Sequence, residues 1–563
     1  MRVLFLCHAF NSLTQRLFIE LGARGHEVSV EFDIHDAVSE EAVALWQPDL
    51  IIAPFLKRAI PENIWRNHVC LVVHPGIPGD RGPAALDWAI LNDETEWGVT
   101  VLQAAAAMDA GDIWAEARFP MRAAKKSSLY RNEVTEAAVQ AVLDALDKFA
   151  SGNFTPQPLD TSDPAVRGCL RPALRQHDRQ IHWAKDDTAT VLRKIRAADG
   201  FPGVLDEVCG VPAYLYDAQP EGELRGLPGA VIAKRGGAIC RATTDGAVWI
   251  GHLKIKSEGE PAFKLPATQA LAGRLDGVPE ITANIGGGEC SAIRYQEKNQ
   301  VGYLSFDFYN GAMGTPHCEA LRHAIEQALT RDTRVLVLTG GEDFWSNGLH
   351  LNLIEAAESP ADESWRNINA MNDLTRAILT IDDRLSVAAL RGNAGAGGVF
   401  MALAADQVWA RPGVVLNPHY KAMGNLYGSE YWTYLLPRRV GAEHALTITE
   451  NRLPLGVAQA RQIGLIDASF GADPAAFLNE LESRAEALAS APDYAARLAA
   501  KQQRHARDEA EKPLAAYRAA ELEHMTLNFY GFDPSYHVAR YNFVHKVPHS
   551  RTPRHLARHR GKG

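Results

Sequence analysis

Short apolar runs punctuate the first third of the chain. Residues 2–6 (RVLFL), 27–32 (EVSVEF), 49–53 (DLIIA) and 69–73 (VCLVV) each read as a strand, and helical patterns such as Thr14 to Gly25 separate them. Strand alternating with helix predicts a parallel, doubly wound sheet, in which functional residues sit just past the strands' carboxyl ends. His74 falls there, directly after VCLVV. From about Pro156 the pattern changes. Proline and glycine thicken, and short strands at Ala213–Tyr216, Ala230–Ala233 and Ala247–Ile250 predict a small β-rich unit. The stretch 277–290 (GVPEITANIGGGEC) reads as a linker, because three consecutive glycines make a poor core segment. A second α/β pattern starts near Ser291. Strands are predicted at 301–308, 334–340 and 386–392, with an amphipathic helix at 316–330. Residues after Pro474 are rich in Ala, Glu and Arg and predict helices.

Length and charge narrow the picture. At 563 residues the chain is too long for one core. Its net charge of −10 makes nucleic acid a poor main partner, since phosphate binding needs a basic face. A basic tail from His549 onward, with Arg551, Arg554, Arg558, Arg560 and Lys562, reads as solvated and frayed. The seven cysteines form no CxxC pair, so neither a zinc nor a redox motif is supported, and a reducing, cytoplasmic setting is expected. No stretch approaches membrane-spanning length.

Two groups of residues carry candidate chemistry. His74 opens HPGIPGDRGPAALDWAI, followed by WGVTVLQAAAAMDAGDIWAEA at 97–117. A histidine at a strand end can move a proton near neutral pH, and a carboxylate such as Asp109 can orient its ring. Glycines and prolines between them let a loop approach a flat ligand. The string His74, Arg81–Gly82, Trp88–Ala89–Ile90, Gly98–Val99–Thr100 and Asp109–Ala110–Gly111–Asp112 resembles the formyltetrahydrofolate-dependent formyltransferases. The resemblance extends through 179–203 and covers roughly residues 1–275. It implies formyl transfer by His74 and Asp109, with N10-formyltetrahydrofolate held by Phe10, Asn11, Ser12, Arg81, Gly82 and Val99. One departure stands out: the family's formyl-binding Asn is Val72 here. His8, Asn11 and Ser12 are candidate substitutes.

The second group lies in GGEDFWSNGLHL (340–351) and RGNAGAGGVFMALAAD (391–406), two glycine-rich turns that each enter a helix. Two such turns can aim two backbone N–H groups at one carbonyl oxygen, which makes an oxyanion hole. The pair resembles the enoyl-CoA hydratase/isomerase (crotonase) superfamily over roughly 291–470. That resemblance implies N–H donors at Leu349 and Gly397 and a coenzyme A site at Asn347 and Gly348, with 438–467 as the helix that closes the core. The superfamily's catalytic glutamates are absent: Phe400 takes one position, and the other falls near Lys421. Their absence argues against simple hydration, and Tyr420 and Glu430 remain as candidate donor and base.

A folate formyltransferase fused to a crotonase domain resembles the HypX/HoxX family of nickel–iron hydrogenase maturation factors, as does the segment 523–546. The implied architecture is α/β. It comprises a doubly wound formyltransferase domain (1–160), a small β-barrel-like, OB-like domain (161–275), a linker (276–290), a crotonase core (291–470) and a helical region with the basic tail (471–563). The implied function is transfer of formyl from N10-formyltetrahydrofolate to coenzyme A, then release of carbon monoxide from formyl-CoA. Small-molecule substrates and hydrogenase maturation proteins are the implied partners, without membrane or nucleic acid. Two rivals remain at this stage: a bifunctional enzyme with independent amine formyltransferase and acyl-CoA isomerase halves, or a non-catalytic scaffold that binds folate and coenzyme A.

Overall fold

A computed structural model describes residues 1–257, 259, 262–281 and 292–561. The chain divides into two compact units, Met1–Thr282 with Pro548–Gly563, and Ala283–Val547.

In the first unit the apolar runs become the centre of a six-stranded sheet. Its order is Glu27–Phe32, Arg2–Cys7, Leu50–Ala53, Cys70–His74, Glu96–Gln103, Ile113–Pro120. The first four strands run parallel and the last two antiparallel. Helices cover the parallel part, so its inner strands, such as Leu50–Ala53, are apolar on both faces rather than alternating. A second, antiparallel sheet follows, ordered Val204–Val208, Val211–Glu221, Ala247–Ile255, Ala238–Ala242, Val231–Arg235. The amphipathic helix Thr188–Ala198 buries Val191, Leu192 and Ile195 against it. Of the expected linker, 282–290 lies outside the described residues. Residues 279–281 are still part of the small sheet: the Lys234 N–H donates to Pro279 O, and the Ile281 N–H to Lys234 O, both at 2.9 Å.

The basic tail is not frayed. Ser29 and Glu31 alternate on one face of the edge strand Glu27–Phe32, and both are fully buried. The tail supplies their partners. The Val30 N–H donates to Leu556 O at 3.0 Å, and the Phe32 N–H donates to Thr552 Oγ1 at 2.8 Å. Glu31 accepts from Thr552, from His559 at 2.8 Å and from Arg560 at 2.9 Å. Arg551, Arg554 and Arg558 stay exposed while Thr552, Leu556 and His559 are buried, so counting charge alone concealed the buried face. Burial raises the Glu31 pKa, but these bonds outweigh it and the net shift is downward. Glu31→Ala would leave His559 and Arg560 without their acceptor. It should loosen this edge by about 3–5 kcal/mol, the size of breaking one side of a buried pair, and hydrogen exchange at Val30 and Phe32 would read the loss.

In the second unit a six-stranded sheet runs Ile293–Lys298, Val301–Phe306, Val335–Thr339, Leu385–Leu390, Gln407–Ala410, Ala468–Ser469. A smaller sheet, Phe344–Ser346, Asn393–Gly395, Val415–Asn417 and Leu455–Gly456, carries both glycine-rich turns. The segment 438–467 is not one helix. Trp432–Val440 stops at Gly441 (φ 79°), and Ala442–Asn451 and Val457–Gln462 follow. The late helices are part of the core: Met525, Phe529 and Tyr536 pack in one cluster with Phe400, Tyr420 and Leu435. No described helix is long and apolar enough to cross a membrane.

Candidate active sites

His74 ends the strand Cys70–His74 and is 5% exposed. Its ring lies between two carboxylates, with Nε2 3.0 Å from Asp80 Oδ1 and Nδ1 3.6 Å from Asp109 Oδ1. Asp109 sits in the left-handed region (φ 54°), which a short polar side chain tolerates, and Asp109 Oδ2 accepts the Gly82 N–H at 3.2 Å. Gly82 has φ +116°, and a Cβ there would meet Arg171 O at 2.3 Å, so only glycine fits. Arg81 is tied by its backbone to Cys169 and Arg171, and the Arg171 guanidinium approaches Asp80 Oδ2 at 3.2 Å. Asp80 was missed in the sequence, although it immediately precedes the Arg81–Gly82 pair that was read.

The other expected folate contacts divide. Val72 shares the His74 face and packs with Leu4, Leu6, Ala53 and Cys70, so an apolar group stands where the family has an amide. His74 pairs with Thr100 across the sheet, which puts Val99 on the opposite face, fully buried. Its side chain therefore points away from His74. Asn11 caps the helix Ser12–Ala23 by accepting the Thr14 N–H at 3.0 Å, and its amide reaches the Tyr130 hydroxyl at 3.5 Å. Phe10 stands edge-on to Phe18. His8, the other candidate substitute, pairs with Asp33 at 3.0 Å. Among the described residues, none of Phe10, Asn11 and Ser12 bonds to the His74 group.

In the second unit the two turns meet. A Cβ on Gly348 would lie 3.4 Å from the Gly397 nitrogen. Asn347 is held by the Gly311 carbonyl at 2.7 Å and by Asn310 O at 2.9 Å, and Gly348 O accepts the Met313 N–H at 2.9 Å. Among the described residues, the Leu349 and Gly397 N–H groups have no acceptor. A Cβ on Gly397 would lie 2.5 Å from Glu430 Oε1, so Gly397→Ala should displace the carboxylate. Glu430 is 1% exposed. The Tyr420 hydroxyl donates to Oε2, the Ser429 N–H joins it at 3.2 Å, and Oε1 has no partner. Phe400, where the superfamily has a glutamate, stacks on Tyr420 at 5.3 Å between ring centres. Lys421 instead pairs with Glu450 at the surface.

Burial, then the nearby Glu521 charge, pushes Glu430 up to about 8, against the downward pull of the Tyr420 bond. Burial also raises Tyr420 well above its usual range. Below the ordinary carboxylate pKa both folded and unfolded chains hold the Glu430 proton. Between there and about 8 only the folded chain does, so this group's contribution to stability falls as pH rises through that window. Glu430→Gln, which stays neutral, should therefore gain stability over the native chain between about pH 5 and 8. At roughly 1.4 kcal/mol per unit this amounts to a few kcal/mol, read as urea midpoints at matched pH.

The Formyl transferase model matches residues 29–146, the Formyl transferase C-terminal domain model 173–265, and the Enoyl-CoA hydratase/isomerase model 309–537. Hydrogenase maturation factor HoxX of Bradyrhizobium diazoefficiens is 59% identical over 100% of this chain and 97% of its own length. The chain belongs to the HypX/HoxX family of hydrogenase maturation factors. HypX from Aquifex aeolicus, solved in complex with tetrahydrofolic acid, is 50% identical with a TM-score of 0.96, covering 100% of this chain and 99% of that one. A methionyl-tRNA formyltransferase of Trichlorobacter lovleyi is 27% identical over 41% of this chain and 72% of its own.

Proposed function

We propose that this chain makes carbon monoxide for hydrogenase maturation in two steps, formyl transfer from N10-formyltetrahydrofolate to coenzyme A, then decarbonylation of formyl-CoA. The observation that carries this reading is the placement of the unpartnered Glu430 Oε1 against Gly397, whose N–H, with that of Leu349, is free to hold a thioester carbonyl. The folate-bound relative and the paired formyltransferase domains support the first step.

At the first site His74 takes the thiol proton and returns it toward N10 as the N–C bond breaks and the S–C bond forms, with Asp80 and Asp109 orienting its ring. At the second site the Leu349 and Gly397 N–H groups hold the formyl oxygen. Glu430 takes the formyl proton, and Tyr420 delivers one to sulfur as the C–S bond breaks. Glu430 then restores the Tyr420 proton through their hydrogen bond. One formyl-CoA becomes one CO and one free thiol, with no oxidant or reductant. Maturation proteins are the receivers of that CO. The burial of Glu430 suits the step, because it keeps that carboxylate basic.

The test is gas analysis. Purified protein with formyltetrahydrofolate and coenzyme A should release CO, read by a haem reporter, and omission of either substrate should abolish it. A folded protein that consumes both and releases no CO would sink the second step. Gly397→Ala, by moving Glu430, should lower CO output about 10²-fold or more without slowing loss of formyl from the folate.

A further inference from the structure

Glu521 lies on the helix Leu514–Tyr530, 91 residues after Glu430 in sequence, and is fully buried. It accepts the Tyr431 N–H at 3.0 Å, the Thr433 N–H at 2.9 Å and the Thr433 hydroxyl at 2.5 Å, and the Ser429 hydroxyl lies 3.3 Å away. These donors belong to the first turn of the helix Trp432–Val440 and to the turn before it, which carries Glu430. That turn places two successive non-glycine residues, Glu430 (φ 60°) and Tyr431 (φ 58°), in the left-handed region. A backbone of this form turns several N–H groups to one side, which suits an anion. On its other flank Asn372 accepts the Glu430 N–H at 2.7 Å and the Ser429 hydroxyl at 2.9 Å. Arg518, one turn earlier on the same helix, fixes it to Asp373 at 2.6 Å and Asn369 at 2.9 Å.

We infer that Glu521 is a positioning residue for the decarbonylation site, holding the 429–433 turn in its left-handed form so that Glu430 reaches Tyr420 and Gly397. The inference rests on the proposed formyl-CoA chemistry for its catalytic meaning, but its geometry stands apart from it. A carboxylate is needed here, rather than an amide. Two main-chain N–H groups and a hydroxyl converge on its oxygens, and an ionised carboxylate accepts at every lone pair while an amide must aim its NH₂ at one of the donors. The held charge has a second effect. Burial raises the Glu521 pKa in its turn, against the bonds from Thr433, Tyr431 and Ser429; in its ionised form it faces Glu430 from across the turn and, after burial, helps that group keep its proton. Among the described residues, Tyr420, Tyr427, which stacks on His524, and Cys318 on the helix Thr315–Leu329 also couple to Glu430 or Glu521 without supplying a countercharge. The cation one turn from Glu521, Arg518, is engaged by Asp373 and Asn369.

Full-length Glu521→Gln, Glu521→Asp and Glu521→Ala separate positioning from mere support. In Glu521→Gln, kcat for CO release from formyl-CoA should fall about 10–100-fold while KM moves less than about threefold. The pH limb assigned to Glu430 should move down by about one unit. The same shift should appear without turnover, in an infrared pH titration of the carboxylic acid band that Glu430→Gln removes. Glu521→Asp should recover part of the rate, and Glu521→Ala should recover none. An unchanged pH limb and infrared titration in folded Glu521→Gln would overturn the inference. Should that variant fail to fold, Thr433→Val removes one donor and should show a smaller shift in the same direction; no shift there overturns it equally. If the wild-type protein releases no CO from formyl-CoA, the proposed decarbonylation fails, and the infrared arm alone decides the role of Glu521.

Discussion

Glu430→Gln should let formyl-CoA accumulate while CO output falls by about 10²–10⁴-fold, the range expected when a positioned proton-transfer group is removed. The substitution keeps shape and hydrogen-bonding reach but cannot take a proton at Oε1, the atom left unpartnered beside Gly397. Tyr420→Phe removes the hydroxyl that donates to Oε2 while keeping the ring stacked on Phe400. It should give the same intermediate build-up. Formyl transfer from the folate should continue in both, because neither residue belongs to the first unit. The measurement is chromatographic formyl-CoA against haem-detected CO in one reaction. Wild-type CO release from both variants would place the chemistry elsewhere in the second unit.

His74→Ala or Asp109→Ala should slow loss of formyl from the folate by about 10²–10⁴-fold with folate binding largely kept. The two should differ in one respect. Asp109 also holds the Gly82 N–H, so Asp109→Ala loosens the loop as well as the ring, whereas Asp109→Asn keeps an acceptor for Gly82 and separates the two effects. Asp80→Asn should cost as much as Asp109→Asn, since Asp80 holds the other ring nitrogen at the shorter distance of 3.0 Å. Single-turnover formyl loss with quenched sampling reads all four. Near-native rates in His74→Ala would remove His74 from the chemistry.

The strands were legible because burial on both faces leaves little choice of residue: RVLFL and VCLVV can hardly be anything else. The pairs His74 with Asp109 and Tyr420 with Glu430 were legible because each sits close in sequence to a glycine-marked turn. What escaped is what the fold brings from far away. Glu521 sits in a helix whose sequence shows no sign that its carboxylate will meet a turn ninety residues earlier. Ser29 and Glu31 looked like ordinary polar positions on a strand until the chain's last segment covered them. The side Val99 faces was not legible either, because a motif records order along the chain, while the pleat decides which face each residue takes.

That last segment bears on how the polypeptide is made. Domains tend to fold as they leave the ribosome, amino-terminal first. Here the edge strand Glu27–Phe32 emerges early, yet Thr552, Leu556 and His559, which complete it, are translated more than five hundred residues later. Throughout synthesis the nascent formyltransferase unit displays an open sheet edge with a buried-type carboxylate, the kind of surface that pairs with other chains or recruits chaperones. A chain cut before Thr552 would therefore lack the groups that seal this edge, which ties completion of the earliest domain to some of the residues translated after the entire second unit.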